Sequence, residues 1–161
     1  MARKKPTVHK EREASFMYPR LHQAVAVAVA DDIGSTWFNH DSDQEPVKEW
    51  PTRIMGKFKC ENDDCANSMW SSRTVATLIR GYSGNGYNAT VFNQHCIDCK
   101  TLGAFMIDQD CYVERIAYRL KIWAGIEMER PDYNKKEGPP HEQELCEGCK
   151  RGYCQRNRVR N

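Results

Sequence analysis

Apolar and β-branched residues are concentrated in two neighbouring runs, 73–82 and 87–95, which predict two β-strands. Between them lies Ser83-Gly-Asn-Gly86, and Gly and Asn tolerate the positive φ angles that a tight hairpin connection needs. A third strand is predicted at 52–59, beside the hairpin. The apolar segment 102–107 is either another strand or a packing segment. The pattern therefore predicts a small antiparallel sheet.

An amphipathic helix is predicted after the sheet, with Asp108 or Asp110 as its N-cap. We interpret its apolar stripe as the face that covers the sheet. Cys111 is predicted to lie on a different side of the helix. The stripe residues recur at helical spacing: Val113, Ile116, Ala117, Leu120, Trp123 and Ala124.

The N-terminal segment, 1–51, is predicted to be basic and partly disordered. A short helix from Pro19 to Asp31 or Asp32 is favoured, because Ala stabilises helices, although the alternation of Val and Ala also fits a strand. Residues 34–51 are acidic and irregular, and they are predicted to lead into the sheet without regular structure.

Two cysteine pairs flank the predicted hairpin. Cys60 and Cys65 precede it, and Cys96 and Cys99 follow it. Because a hairpin returns its ends to the same place, these four thiolates are predicted to meet as one tetrahedral zinc site.

A second set of zinc-competent ligands lies within fourteen residues: His141, Cys146, Cys149 and Cys154. The two sets together predict two structural Zn²⁺ ions, one to each set, with a crossed assignment of ligands as the alternative. Cys111 has no neighbour at knuckle spacing, and it is predicted not to bind metal.

The composition favours a small core that a metal would reinforce. The 161 residues carry a net charge of +2, are 40% hydrophobic and have a mean hydropathy of −0.78. No apolar segment follows the charged start of the chain, and the longest apolar run, 24–30, is far shorter than the ~20 residues of a membrane span. We therefore expect an intracellular protein, cytoplasmic or nuclear, with cysteines that bind metal and no transmembrane segment.

Several motifs in this order resemble the 3CxxC-type zinc-binding domain family, which occurs in receptor-transporting proteins and zygote arrest proteins. They are Met55-Gly-Lys-Phe-Lys-Cys60, Trp70-Ser-Ser-Arg73, Val91-Phe-Asn-Gln-His-Cys96-Ile-Asp-Cys99 and the cluster from His141 to Cys154. The resemblance covers roughly 53–154 and implies the same eight ligands. Four residues separate the first cysteine pair, whereas many relatives have two. Receptor-transporting relatives commonly carry a C-terminal hydrophobic anchor, which is not found here.

The predicted fold class is α+β: a small zinc-stabilised antiparallel sheet, made of a long hairpin with zinc knuckles and packed by one amphipathic helix. The predicted zinc-binding domain spans 52–154, and 155–161 form a basic tail.

Catalysis is not expected. A zinc hydrolase keeps one coordination position open, and two full sets of four ligands leave none. The deaminase and His-Glu-x-x-His signatures are absent, and no local signature supports a Cys–His nucleophilic pair among the remaining histidines, His9, His22, His40 and His95.

Two binding functions remain, and the sequence does not decide between them. RNA binding resembles the role attributed to zygote arrest relatives, and it would use Arg80, Tyr82 and Tyr87 near the hairpin tip for phosphate contact and base stacking. An equally open interpretation is that both tyrosines only stabilise the hairpin. A protein-interaction adaptor, resembling receptor-transporting proteins, would use the hairpin edge or the N-terminal segment. Basic residues at both ends of the chain are either phosphate contacts or solvated tails: Arg3, Lys4, Lys5, Lys10, Arg12, Lys150, Arg151, Arg156, Arg158 and Arg160.

Overall fold

The computed structural model describes residues 14–66, 68–128 and 143–152. Within these ranges the chain forms six strands and three α-helices, with 3₁₀ turns at Pro19–Leu21 and Gln143–Leu145. The elements in chain order are β1 (Ser15–Phe16), α1 (His22–Ile33), β2 (Trp37–Phe38), β3 (Lys48–Lys59), β4 (Met69–Tyr82), β5 (Gly86–Phe92), β6 (Ala104–Ile107), α2 (Gln109–Trp123) and α3 (Glu147–Lys150).

The strands form one sheet in the order β1-β5-β4-β3-β6, and these neighbours are antiparallel. The short β2 pairs in parallel with β5. The predicted hairpin is confirmed as β4 and β5, and its turn contains Gly84 and Asn85 at φ angles of 71° and 60°. The segment 102–107 supplies the edge strand β6.

The prediction that 34–51 is irregular is wrong at both ends, because it misses β2 and because β3 begins at Lys48. β3 begins this early because β4 is long, and the C-terminal part of β4, residues 76–81, pairs with Lys48–Arg53. Pro51 is tolerated there because β6 pairs only with Gly56–Lys59, so this half of β3 is an edge strand.

The helices α1 and α2 together cover one face of the sheet and pack against each other, whereas only the second was predicted to pack on it. The helix predicted near Pro19 is confirmed as α1. The stripe of α2 is largely confirmed, with Val113 and Trp123 half-buried, although Ala124 is exposed at the C-cap. The core between helices and sheet contains Val25, Val29, Ile54, Phe58, Val75, Ile79, Tyr87, Ala89, Val91, Tyr112, Ile116, Ala117 and Leu120.

The first turn of α2 corrects the predicted orientation of Cys111. Cys111 is 7% exposed and belongs to the core, beside the fully buried Tyr112. The turn follows β6 at once, and the N–H of Asp108 donates to the Met55 carbonyl, which holds it against β3. Asp108 is also the N-cap, because its carboxylate accepts from the Cys111 N–H at 3.1 Å.

The opposite side of the sheet, here called the outer face, is only partly covered. Over β4 and β5, residues 143–152 pack on Ala76, Leu78 and Phe92. Gly148 sits so close that a Cβ there would come within 2.2 Å of the Ala76 Cβ, so only glycine fits. On the same face, Arg53, Met55, Lys57 and Lys59 of β3 and Met106 of β6 are exposed.

We expect Phe58→Ala to lower the free energy of unfolding by about 3–5 kcal/mol, because it would leave a cavity in the core. Phe58 is fully buried, and its ring stacks on Trp70 with 5.0 Å between centroids. Urea unfolding at a fixed excess of zinc measures the change. Val27→Ala is the control: Val27 is 68% exposed on α1, so a change within about 0.5 kcal/mol is expected. Equal losses in the two variants would contradict this description of the core.

Candidate metal centre

The structure brings together four cysteine sulfurs, those of Cys60, Cys65, Cys96 and Cys99, and all lie within 4.8 Å of one another. The Cys60–Cys99 sulfurs are 3.5 Å apart and the Cys65–Cys96 sulfurs 3.8 Å. A tetrahedral zinc ion with Zn–S bonds of about 2.3 Å separates its sulfurs by about 3.8 Å. The four thiols therefore fit a Cys₄ zinc site.

The strand order places both pairs at one end of the sheet. Cys60 directly follows β3, and its N–H donates to the Ser68 carbonyl at 2.9 Å, across the connection to β4. The longer spacing of this pair is taken up by a turn in which the Asn62 side chain accepts from the Asp64 N–H and the Asn62 carbonyl accepts from the Cys65 N–H.

The second pair forms a tight knuckle after β5. The Cys96 carbonyl accepts from the Lys100 N–H at 2.9 Å, and the Cys96 N–H donates to the Thr101 carbonyl at 2.7 Å. Lys100 has a φ angle of 62°, which turns the chain back towards the sheet. These backbone bonds bring the thiols of Cys96 and Cys99 to the same end of the sheet as those of Cys60 and Cys65.

Thr101 prepares one sulfur for metal binding. Its hydroxyl, 3.0 Å from the Cys99 sulfur, and its backbone N–H both donate to that sulfur and lower the pKa of Cys99 to about 6. At Cys60 the largest influence, a hydrogen bond from the Asn62 backbone, lowers the pKa, but burial and the contacts with Cys99 and Cys96 outweigh it, so the pKa is raised. The thiolate that zinc requires is thus favoured first at Cys99.

The second predicted set is only partly within the described residues. Cys146 is buried, and its sulfur accepts from the Cys149 N–H at 3.4 Å, across the start of α3. This N–H···S contact is compatible with a knuckle that presents both sulfurs to one ion. His141 and Cys154 lie outside the described residues.

The Cys60–Cys99 cluster, here called the first cysteine region, and residues 143–152, the second cysteine region, touch through the segment between β5 and Cys96. The His95 N–H donates to the Leu145 carbonyl, and the Glu147 N–H donates to the Asn93 carbonyl. The His95 ring lies 2.5 Å from the Glu147 carboxylate through Nε2 and 2.9 Å from the Lys100 carbonyl through Nδ1. Burial raises the pKa of Glu147, but the hydrogen bond from His95 and the nearby Lys150 ammonium outweigh it, so the pKa is lowered.

His95 therefore links the two regions, a role that sequence reasoning missed. The one available signal was its position directly before Cys96.

The two tyrosines predicted to contact RNA at the hairpin tip are buried, and Arg80 is half-buried. Tyr87 is fully buried under α1, with its hydroxyl 2.9 Å from His22 Nδ1, and Tyr82 is 7% exposed. The half-buried Arg80 donates to the Ser42 carbonyl. The prediction that Tyr82 and Tyr87 stack on bases is therefore wrong, because both rings are buried, whereas phosphate contact by Arg80 stays a prediction.

We expect Thr101→Val to weaken zinc binding about tenfold or more, because the Cys99 sulfur would lose a hydrogen bond that supports its thiolate. Competition with a chelating dye measures the affinity. Thr101→Ser keeps the hydroxyl and should retain the wild-type affinity. Equal affinity for the valine and serine variants would show that the hydroxyl does not matter.

A family model for 3CxxC zinc ribbons, described as a zinc-binding domain, matches residues 53–152, which is more than half of the chain. No curated protein and no solved structure shows significant similarity to this chain. Within the described ranges, no helix combines the length and apolar character that crossing a membrane requires. The match and the four assembled thiols agree with the resemblance seen in the motifs, and the chain belongs to the 3CxxC zinc-ribbon family of zinc-binding domains.

Proposed function

We propose that the chain is a non-catalytic binding module for RNA, held in shape by zinc, and that cations on the exposed part of the outer face contact the phosphates. The observation that carries this proposal is the alternation along β3. Ile54 and Phe58 point into the core, whereas Arg53, Lys57 and Lys59 are exposed on the outer face.

No acidic residue balances these cations on neighbouring strands. From Arg53 to Lys59 on β3, and along the whole of β4 and β6, the sequence contains no aspartate or glutamate. The ion pairs in the described part of the chain involve none of the three cations. A surface of this kind attracts a polyanion.

Further cations lie beside this row. Arg53 pairs with Ala76, the residue on which Gly148 sits, so α3 lies next to Arg53 on the outer face. Lys150 and Arg151 are exposed at the end of α3. Lys150 is paired with Glu147 at 3.5 Å, so Arg151 is the cation that would extend the β3 row along an RNA backbone.

The zinc content is part of the proposal. Cys60, Cys65, Cys96 and Cys99 would hold one Zn²⁺, and Cys146 and Cys149 would hold a second together with His141 and Cys154. Two complete sets leave no open coordination position, which supports a structural rather than a catalytic role.

For the zinc proposal, we expect Cys65→Ser and Cys149→Ser each to lose one of two zinc ions, because each removes one of four ligands. Native mass spectrometry counts the bound metal. Cys111→Ala is the matched control outside both sets and should keep two ions; alanine is chosen because Cys111 is buried and serine would bury a hydroxyl. Zinc loss from Cys111→Ala, or two ions retained in Cys149→Ser, would contradict the ligand assignment.

For the RNA proposal, we expect the affinity for RNA to fall steeply with salt. The double variant Lys57→Gln/Lys59→Gln should bind more weakly and reduce the slope of log K against log salt by about 1.4, the share of two phosphate contacts on a single strand. Fluorescence anisotropy at several salt concentrations measures both quantities.

Lys48→Gln provides the matched control for charge. Lys48 lies on the same strand but on the helix side, opposite Gly81, and its replacement should leave the slope unchanged. Absence of RNA binding at low salt would overturn the proposal and favour the protein-interaction adaptor.

A further inference from the structure

We infer that the exposed outer face binds single-stranded RNA in preference to duplex, with three methionines contacting the bases; this inference rests on the proposed RNA function. Met55, Met69 and Met106 are among the exposed large hydrophobic residues, at 37%, 53% and 47% exposure. They come from three adjacent strands, β3, β4 and β6.

The strand register places these methionines among the lysines. Met106 pairs with Lys57, and Met69 pairs with Lys59, so each lysine has a thioether neighbour on an adjacent strand. Paired residues of an antiparallel sheet project to the same face with Cβ atoms about 4.5–5.5 Å apart. Met55 lies two residues before Lys57 and therefore projects to the same face.

The orientation of the Met55 and Lys57 side chains follows from that of Gly56, which lies between them in β3. A Cβ on Gly56 would meet the Phe105 ring at 2.2 Å, so Gly56 faces the side of the core. Met55 and Lys57 consequently point to the outer face. Beneath them Phe58 packs between the rings of Trp70 and Phe105, which makes this part of the sheet a firm support.

On this surface Lys57 and Lys59 of β3 each have a methionine beside them on a neighbouring strand, so cationic and apolar groups lie next to each other. A single strand presents phosphates together with the flat faces of unstacked bases, whereas in a duplex the bases are stacked and mainly the backbone is accessible. Methionine sulfur packs favourably on aromatic rings, and its flexible side chain adapts to different bases. The surface therefore matches single-stranded RNA and is expected to show little preference for sequence.

The experiment compares a labelled oligouridylate of about twelve nucleotides with an RNA duplex of the same length, by fluorescence anisotropy on the zinc-loaded full chain. We expect the single strand to bind about tenfold tighter than the duplex. The triple variant Met55→Ser/Met69→Ser/Met106→Ser should weaken single-strand binding about tenfold, leave duplex binding unchanged and keep the salt slope.

Two further variants test whether weaker binding reflects loss of the methionine contacts or loss of structure. Val27→Ser removes an exposed apolar side chain from α1, on the far side of the sheet, and should bind as the wild type does. The triple replacement of the same methionines by glutamine keeps their length and should also weaken single-strand binding. Zinc content and urea unfolding are measured for every variant.

The outcomes separate this inference from the proposed function. Equal affinity for single strand and duplex would overturn this inference, as would an unchanged affinity in both methionine variants. The proposed RNA function would still stand if the Lys57→Gln/Lys59→Gln variant lost RNA binding. If neither RNA binds, both proposals are wrong. If a polyglutamate probe binds as tightly as the oligouridylate and depends on the same methionines, the occupant is an acidic protein segment and both proposals are again overturned.

Discussion

The antiparallel pairing of β3, β4 and β5 is the constraint on which the metal centre depends. β3 runs towards one end of the sheet, β4 runs away from it and β5 returns, so the connection after β3 and the segment after β5 share that end. Strand pairing alone therefore brings the four thiols of these two segments close to one another. Zinc coordinated by such cysteines contributes on the order of 10–16 kcal/mol of apparent folding energy, comparable to the whole stability of a small domain. Folding of the sheet and metal binding are therefore one equilibrium.

The same sheet separates buried from exposed side chains by strand alternation. Along β3 the even-numbered residues Ile54 and Phe58 build the core beneath the helices, while the odd-numbered Arg53, Lys57 and Lys59 face outwards. A shift of register by one residue would exchange the two sets, burying lysines and exposing phenylalanine. The pairing that assembles the zinc ligands thus also determines which side of the domain is cationic.

Sequence reasoning predicted the parts of the structure that depend on neighbours in the chain. The hairpin follows from β-branched runs around Ser83–Gly86, the cap of α2 follows from Asp108, and the meeting of the cysteine pairs follows from the hairpin. It failed where distant segments pack together. Tyr87 is covered by His22, 65 residues away, and Arg80 and Tyr82 are covered by Ser42 and Gln44, each 38 residues away. No local pattern marks such burial, and the outward methionines are equally invisible until the register of three strands is known.

The covering of Ala76, Leu78 and Phe92 by residues 143–152 has a consequence for synthesis. A chain leaves the ribosome from its N-terminus, so the sheet and all four thiols of the Cys60–Cys99 cluster emerge well before Gly148 can seat on Ala76. During that interval the nascent domain carries an apolar patch with no cover, next to a metal centre that is already able to form. The patch lacks the cover of residues 143–152 until they have been synthesised, and during that interval it is exposed to chaperones and to aggregation.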